Sequence, residues 1–387
     1  MTRFEENHYD AIIIGARCAG SATALLLSRA GARVLLVDRD QPGNDTLSTH
    51  ALMRPAVQLL HDWGVLDAVW QAGTPLIRHT TFHYGSEAIP VAIQPDGDVP
   101  GLFAPRRSLL DRVLADAAVE AGAELHTGVT FQDAIKDVYG RILGAELIHA
   151  DGTAHTVYSR ILIGADGRMS SVARSVGAHT RLVAPERSSL VYGYFDGLKN
   201  KGYRWYFGDA SYAGAIPTND GAHCIFAAVK PSEFKATFAA DPISGMAGVI
   251  RQCDPELADQ MRGLAVAGHL RRFAGAPGFM RDCAGLGWAL VGDAGYFRDP
   301  STAHGITDAF LDARRLTRAM ERQPDRPVAY QTERDAMSRG LFDVTRKIAA
   351  LDWDLDHAKA LHRQLNTCMK LEIEDLQGGR IPHTQAA

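Results

Sequence analysis

The chain has 387 residues, enough for about two to three domain-sized units. Apolar residues make up 46% and charged residues 22%, a globular composition, and the 37 glycines follow no period that would suggest collagen or low complexity. A formal net charge of −4, from 41 basic and 45 acidic residues, excludes a basic nucleic-acid footprint and an acidic solvating tail.

The N-terminal MTRFEENHYD carries acids where a secretory signal needs an apolar stretch, so no targeting segment is expected. No apolar run approaches the ~20 residues of a membrane helix, and no membrane partner is expected. Five cysteines, widely spaced and without a C-x-x-C pair, argue against a disulfide scaffold or a zinc site. The expectation is a cytoplasmic protein without a metal.

Residues 10–39 carry the first motif. Asp10 to Ile14 is a short apolar run with three isoleucines, the pattern of a strand buried on both faces of a parallel sheet. The turn Gly15-Ala16-Arg17-Cys18-Ala19-Gly20 follows. Apolar residues then recur at helical spacing from near Gly20 to Ala30, and Val34 to Val37 is a second strand closed by Asp38 and Arg39. This is a dinucleotide-binding βαβ unit in which Arg17 replaces the second glycine of G-x-G-x-x-G. Gly15 permits the tight turn, Gly20 permits close helix–strand packing, and the helix N-terminus offers N–H groups to a pyrophosphate. Arg17 adds a charge beside the phosphates. An acid at Asp38 favours a free ribose hydroxyl, hence FAD or NAD over NADP. Cys18 reads first as a small residue in a crowded turn rather than a reactive thiol.

A helix carrying Met53, Ala56, Val57, Leu60, Trp63 and Leu66 follows Asp45-Thr46-Leu47-Ser48-Thr49-His50, with Ser48 or Thr49 as its cap. Residues 122–167 read as a meander of short strands turning at Gly140-Arg141 and Asp151-Gly152. They end in Ile161-Leu162-Ile163 and the turn Gly164-Ala165-Asp166-Gly167. Strands dominate from Val191 to Val229, with Tyr192 and Tyr194 on one face and Tyr203, Trp205 and Phe207 sharing another. A third strand-to-turn junction is Ala289-Leu290-Val291-Gly292-Asp293-Ala294-Gly295, before a helix from Ile306 to Met320. Two further helices, Tyr330 to Leu351 and His357 to Leu376, form a C-terminal cap expected to pack on the nucleotide domain or to build a dimer interface. The tail to Ala387 is expected to be loose.

The three motifs in this order resemble the FAD-dependent monooxygenase and oxidoreductase superfamily with the para-hydroxybenzoate hydroxylase fold, over about residues 8–320. The pair G-A-R-C-A-G and D-T-L-S-T-H resembles its geranylgeranyl-reductase-like branch. The implied fold is α/β: a discontinuous, Rossmann-like FAD domain of the glutathione-reductase type (1–75, 101–180, 284–325), a mostly β substrate domain (76–100, 181–283) and C-terminal helices (326–387). The resemblance implies that Asp293 binds the ribityl chain. Pro300, Gly305 and Ile306 would open a helix whose N-terminus faces the flavin N1/C2=O edge. Asp166 and Gly167 would lie by the pyrophosphate, and Arg107, or alternatively Arg106, would contact the ribityl–phosphate region. Ser48 and Thr49 would lie against the isoalloxazine. Two departures stand out: Tyr296 replaces the usual histidine after the G-D motif, and Ala303-His304-Gly305 replaces G-x-G.

His50 and His304 are the proton-handling candidates, with Tyr296 and Arg54 behind them. Tyr192, Tyr194 and Trp205 are candidate substrate walls. The resemblance implies an NADH- or NADPH-dependent monooxygenase that oxygenates a small aromatic or conjugated molecule with O2 through a flavin C4a-hydroperoxide. The alternatives are a reductase or dehydrogenase without oxygen insertion, and a protein whose flavin is structural. Halogenation is not expected, because no lysine precedes Lys136 and no W-x-W-x-I-P signature is present.

Overall fold

The computed structural model describes residues 8–41, 43, 44, 46 and 48–378. The N-terminal MTRFEEN, Asp45 and Leu47 of the D-T-L-S-T-H stretch, and the tail 379–387 lie outside the described residues.

The isoleucine run forms the strand His8–Ile14, and it pairs in parallel on both sides: Ile12 lies opposite Leu35 on one flank and Leu162 on the other. A strand flanked on both edges and covered on both faces must be apolar throughout, which is why it shows no alternation. The parallel core runs Trp288–Leu290, Ala154–Gly164, His8–Ile14, Val34–Asp38, Glu124–Thr127 within an eight-stranded sheet. The strand Ala154–Gly164 also pairs antiparallel with Ile142–His149, which pairs with Val129–Lys136. The expected turns sit between them, with Gly140 at φ 82° and Gly152 at φ 85°.

The second sheet has seven strands, in the order Val266–Phe273, Ser189–Phe195, His223–Val229, Ser211–Pro217, Tyr203–Gly208, His79–Tyr84, Glu87–Ala92. Period-two alternation divides its faces. Tyr192, Tyr194, Tyr203, Trp205, Phe207 and Phe226 enter one core with the first sheet. Val191, Phe195, Tyr206 and Ile225 face helices Pro242–Arg251 and Pro255–Met261 on the opposite side. These two short helices lie within a stretch expected to be mostly β. Their start signals are Asp241-Pro242 and Asp254-Pro255, where each aspartate accepts amide bonds from the first turn and proline fixes the entry φ. A small third sheet joins Thr180–Ala184, Gly278–Arg281 and Tyr296–Phe297.

The C-terminal helices run Val328–Ala349 and Leu355–Gly378, slightly displaced from the expected spans. Leu351 takes a left-handed φ of 54°, which ends the first of them. Both pack on the chain itself, with Tyr330, Trp353, Leu361 and Leu376 in the main core. The expected cap at Ser48 or Thr49 is corrected: the helix is Arg54–Asp62, with Met53 before it and Pro55 in its first turn, and Ser48 Oγ instead accepts the His50 amide at 3.0 Å. Among the described residues no helix is long and apolar enough to cross a membrane.

Candidate functional site

The first turn is closed by two glycines in contact. Gly15 has φ 105°, and a Cβ on Gly20 would lie 1.7 Å from the Gly15 carbonyl oxygen. A Cβ on Gly15 would meet the Ala165 carbonyl at 2.6 Å, so the turn also backs onto the Asp166-Gly167 segment. The helix Cys18–Arg29 begins earlier than expected and has no side-chain cap, which leaves its first amides open. Asp38 Oδ2 accepts the Ala16 amide at 2.7 Å, so the acid at the second strand's end also ties down the turn. Arg17 Nη1 donates to Thr46 Oγ1 at 2.6 Å. Arg39 points to solvent, with 77% of its side chain exposed.

Three candidates have their polar atoms engaged within the chain. The buried Cys18 thiol donates to Asp111 Oδ1 at 3.1 Å, and burial pushes its pKa well up, so it is a neutral donor rather than a nucleophile. Arg107 grips Asp111 through Nε and Nη2 at 2.9–3.1 Å. Asp111 was not singled out in the sequence, although the i,i+4 spacing from Arg107 is a readable signal. Asp166 accepts from Ser170 Oγ and from the amides of Ser171 and Val172, capping the helix Ser171–Ser175.

The Gly292-Asp293 turn sits across from the fingerprint. A Cβ on Gly292 would lie 3.0 Å from Ala19 Cβ and 3.5 Å from Ala309 Cβ, so the turn is wedged between two helices. Its Gly292 amide donates to the buried Asp312 at 2.9 Å. Asp293 is half-buried, and its carboxyl pKa is pushed up to about 6 by burial and by Asp308, against Arg107 and Arg168. Pro300 opens a short 3-10 turn, Ala303 reverses the chain at φ 50°, and Gly305, exposed, starts the helix Gly305–Arg322. Ile306 follows in its uncapped first turn.

The two histidine candidates separate. His50 has a left-handed φ of 64° and is fully buried, with Nε2 2.5 Å from Tyr194 Oη. Burial, then the Arg107 and Arg106 charges, holds its pKa well below the usual range, so the ring is neutral and shares one hydrogen bond with the phenol. The Arg106 guanidinium lies 3.5 Å from the Tyr194 ring centroid. Its amide donates to Asn219 Oδ1, a contact from the turn between two strands of the seven-stranded sheet that no local pattern announces. His304 instead pairs with Glu372, at 2.7 Å. Tyr192 donates to the Thr46 carbonyl at 3.4 Å, and Trp205 Nε1 to Thr80 Oγ1 at 3.0 Å; both lie on the face shared with the first sheet. Arg54 Nη2 donates to the Gln94 carbonyl at 2.5 Å. Tyr296 is corrected: it is buried in a separate cluster with Ala184, Met280 and Phe342, and its hydroxyl is directed at the Ser338 carbonyl, which is a packing position.

Residues 8–192 match the family model of an FAD binding domain. The menaquinone reductase of Mycobacterium tuberculosis is 30% identical over 372 residues, 88% of this chain and 83% of that protein. The chain belongs to the FAD-dependent oxidoreductases. Two solved structures share the fold of this oxidoreductase. The flavin-dependent brominase Bmp2 is 19% identical at a TM-score of 0.77, covering 96% of this chain and 92% of that one. PqsL, a probable FAD-dependent monooxygenase from Pseudomonas aeruginosa, is 19% identical at a TM-score of 0.74, covering 94% and 100%. At these identities the likeness is one of fold alone.

The oxidoreductase's own geometry fits FAD. Gly15, Gly20 and Gly292 let the turns pack directly against neighbouring backbone and helices, two uncapped helix N-termini open nearby, and Asp293 supplies a carboxyl for a polyol hydroxyl. Beneath the second helix, Arg298 donates to both oxygens of Asp308 at 2.9–3.0 Å, with both side chains buried. Arg298→Ala leaves that carboxylate without its partner. The expected loss, read by denaturant unfolding, is about 3–5 kcal/mol; an unchanged midpoint contradicts this account.

Proposed function

We propose that this oxidoreductase is an NADH- or NADPH-dependent monooxygenase acting on a small, flat, conjugated molecule. The substrate lies between the aromatic face of the seven-stranded sheet and the flavin. One oxygen atom of O2 enters the substrate, the other leaves as water, and the nicotinamide supplies two electrons. Only one dinucleotide fingerprint is present, so the nicotinamide binds without a second βαβ module. The five free cysteines suit a reducing compartment, the cytoplasm.

The observation that carries the reading is the Tyr194–His50 couple, a phenol and a neutral imidazole 2.5 Å apart in an otherwise aromatic wall. Bound FAD supplies the redox chemistry. Tyr194 orients a substrate hydroxyl and accepts its proton as its own passes to His50 Nε2, which makes the ring more electron-rich. The surrounding apolar side chains exclude water, and Arg106 over Tyr194 favours negative charge there. Tyr194→Phe therefore lowers turnover about a hundredfold, with FAD binding unchanged; equal turnover contradicts the relay.

A second reading, reduction without oxygen insertion, is favoured by the 30% identity to a menaquinone reductase. Turnover under oxygen-18 gas separates the two. Substrate-stimulated oxygen uptake with label in the product supports the monooxygenase. Substrate reduction that proceeds anaerobically supports the reductase. A bound flavin that no nicotinamide reduces overturns both.

A further inference from the structure

The helix Gly305–Arg322 presents its exposed N-terminus beside the Gly292-Asp293 turn, and nothing in its own sequence caps it. The residue before it, His304, is 1% exposed. Its Nε2 is held by Glu372 Oε2 at 2.7 Å, from a helix 68 residues downstream. Glu372 is itself 1% exposed. The other ring nitrogen, Nδ1, is buried with no hydrogen-bond partner among the described residues. Buried polar atoms are nearly always partnered, so the one hydrogen bond this ring makes, to Glu372, fixes how the residue at the head of the helix sits.

The surrounding charges narrow it. Asp308, one turn into the helix, is matched by the bidentate Arg298. Arg315 is drawn toward Asp375 at 3.3 Å. Glu372 is therefore left with His304 as its direct partner. Burial raises the Glu372 carboxyl, but His304, then Arg298 and Arg315, hold it below its ordinary range. A carboxylate there fixes the orientation of the His304 ring and with it the start of the helix. His304, Asp308 and Glu372 also stand close enough together to suggest a cation site. Arg298 grips Asp308 with two nitrogens and would repel a cation, so a metal is not the explanation.

We propose that Glu372 is a positioning residue for FAD: it anchors His304 through Nε2, so that the exposed amides at the start of the adjoining helix are held toward the bound cofactor. The C-terminal helix is then part of the flavin site rather than a cap on it. This rests on FAD binding itself, and a wild-type protein that takes up no FAD would fail that reading first. Given binding, the coupling is reciprocal: FAD steadies the helix Leu355–Gly378, and the helix strengthens FAD binding.

The test uses the full chain and FAD alone. FAD dissociation constants are measured by flavin fluorescence for wild type, Glu372→Gln, Glu372→Asp, His304→Asn and the double variant His304→Asn/Glu372→Gln. Thermal unfolding of each apo form is recorded alongside. Hydrogen exchange of residues 355–378 is followed with and without FAD. We expect Glu372→Gln to weaken FAD about tenfold, Glu372→Asp to recover most of that loss, and the double variant to be no worse than His304→Asn. We also expect FAD to slow exchange in the helix, and the visible circular dichroism of the bound flavin to change in Glu372→Gln. A purely structural Glu372 lowers apo stability but leaves the dissociation constant, the flavin spectrum and the FAD-dependent protection as in wild type, which overturns the proposal. Additive losses in the double variant overturn it as well.

Discussion

Replacing Gly20 by valine abolishes FAD binding and destabilises the protein even without the cofactor. An ideal Cβ at this position lies 1.7 Å from the Gly15 carbonyl oxygen, 3.0 Å from its carbon and 3.1 Å from Ala165 Cβ. Two of those three atoms are backbone of the strand end His8–Ile14 and its turn, so no side chain can swing away. The helix must lift off the sheet, which separates its open amides from the phosphate position and uncovers packed apolar surface. Overpacking of this kind costs about 1–3 kcal/mol or more, and FAD affinity falls by at least about a hundredfold as the anion site is displaced. Gly248→Ala is the internal control. It lies in the helix Pro242–Arg251, a Cβ there meets nothing within 4 Å, and the change is expected to stabilise by about 0.5–1 kcal/mol. Melting curves and flavin titration check both; a Gly20→Val protein that binds FAD normally contradicts the packing argument.

Asp293→Asn is expected to weaken FAD and to stabilise the cofactor-free protein. The Asp293 carboxyl titrates near 6 in the folded chain, against about 3.9 when unfolded. The unfolded state therefore releases this proton first as pH rises. The contribution of the group to stability is intact below about pH 4, declines through the interval to 6, and is lost above it. Asparagine cannot ionise, so the variant escapes the decline. Allowing for partial exposure, the gain at neutral pH is about 1–2 kcal/mol. The same change removes the anionic acceptor for a cofactor hydroxyl, and FAD binding falls by about tenfold or more. Apo unfolding from pH 4 to 8, with FAD titration at pH 7, checks both signs. A variant less stable than wild type at pH 7, or one with undiminished affinity, would falsify this account. A carboxylate that strains its own fold is the mark of a group kept for a ligand.

What the sequence made legible was local. Gly15, Gly20, Asp38 and the Gly292-Asp293 pair sit within a few residues of the strand ends that give them meaning, and the isoleucine run announces a doubly covered strand. Arg107–Asp111 and the Asp-Pro starts at 241 and 254 were equally local, and were readable on the same grounds. The rest of the site is built from partners far apart in the chain. Nothing near His304 points to Glu372, nothing near Arg106 points to Asn219, and Tyr194 reaches His50 across 144 positions. A single buried pair leaves no periodic trace, because it constrains one residue on each element rather than a face. Tyr296 shows the converse. Its place after the G-D motif suggested chemistry, but a two-residue strand sends its ring beneath the helix Val328–Ala349.

The parallel core takes its strands from widely separated stretches, and Trp288–Leu290, on the far flank of Ala154–Gly164, comes after the entire second sheet. During synthesis the nascent nucleotide-binding layer thus waits with one flank bare until the intervening strands have left the ribosome. Such non-local closure is slow and exposes apolar strand edges to neighbouring chains meanwhile. Recombinant yield should accordingly respond to lower growth temperature and to chaperone supply more than to additives that act on the finished fold.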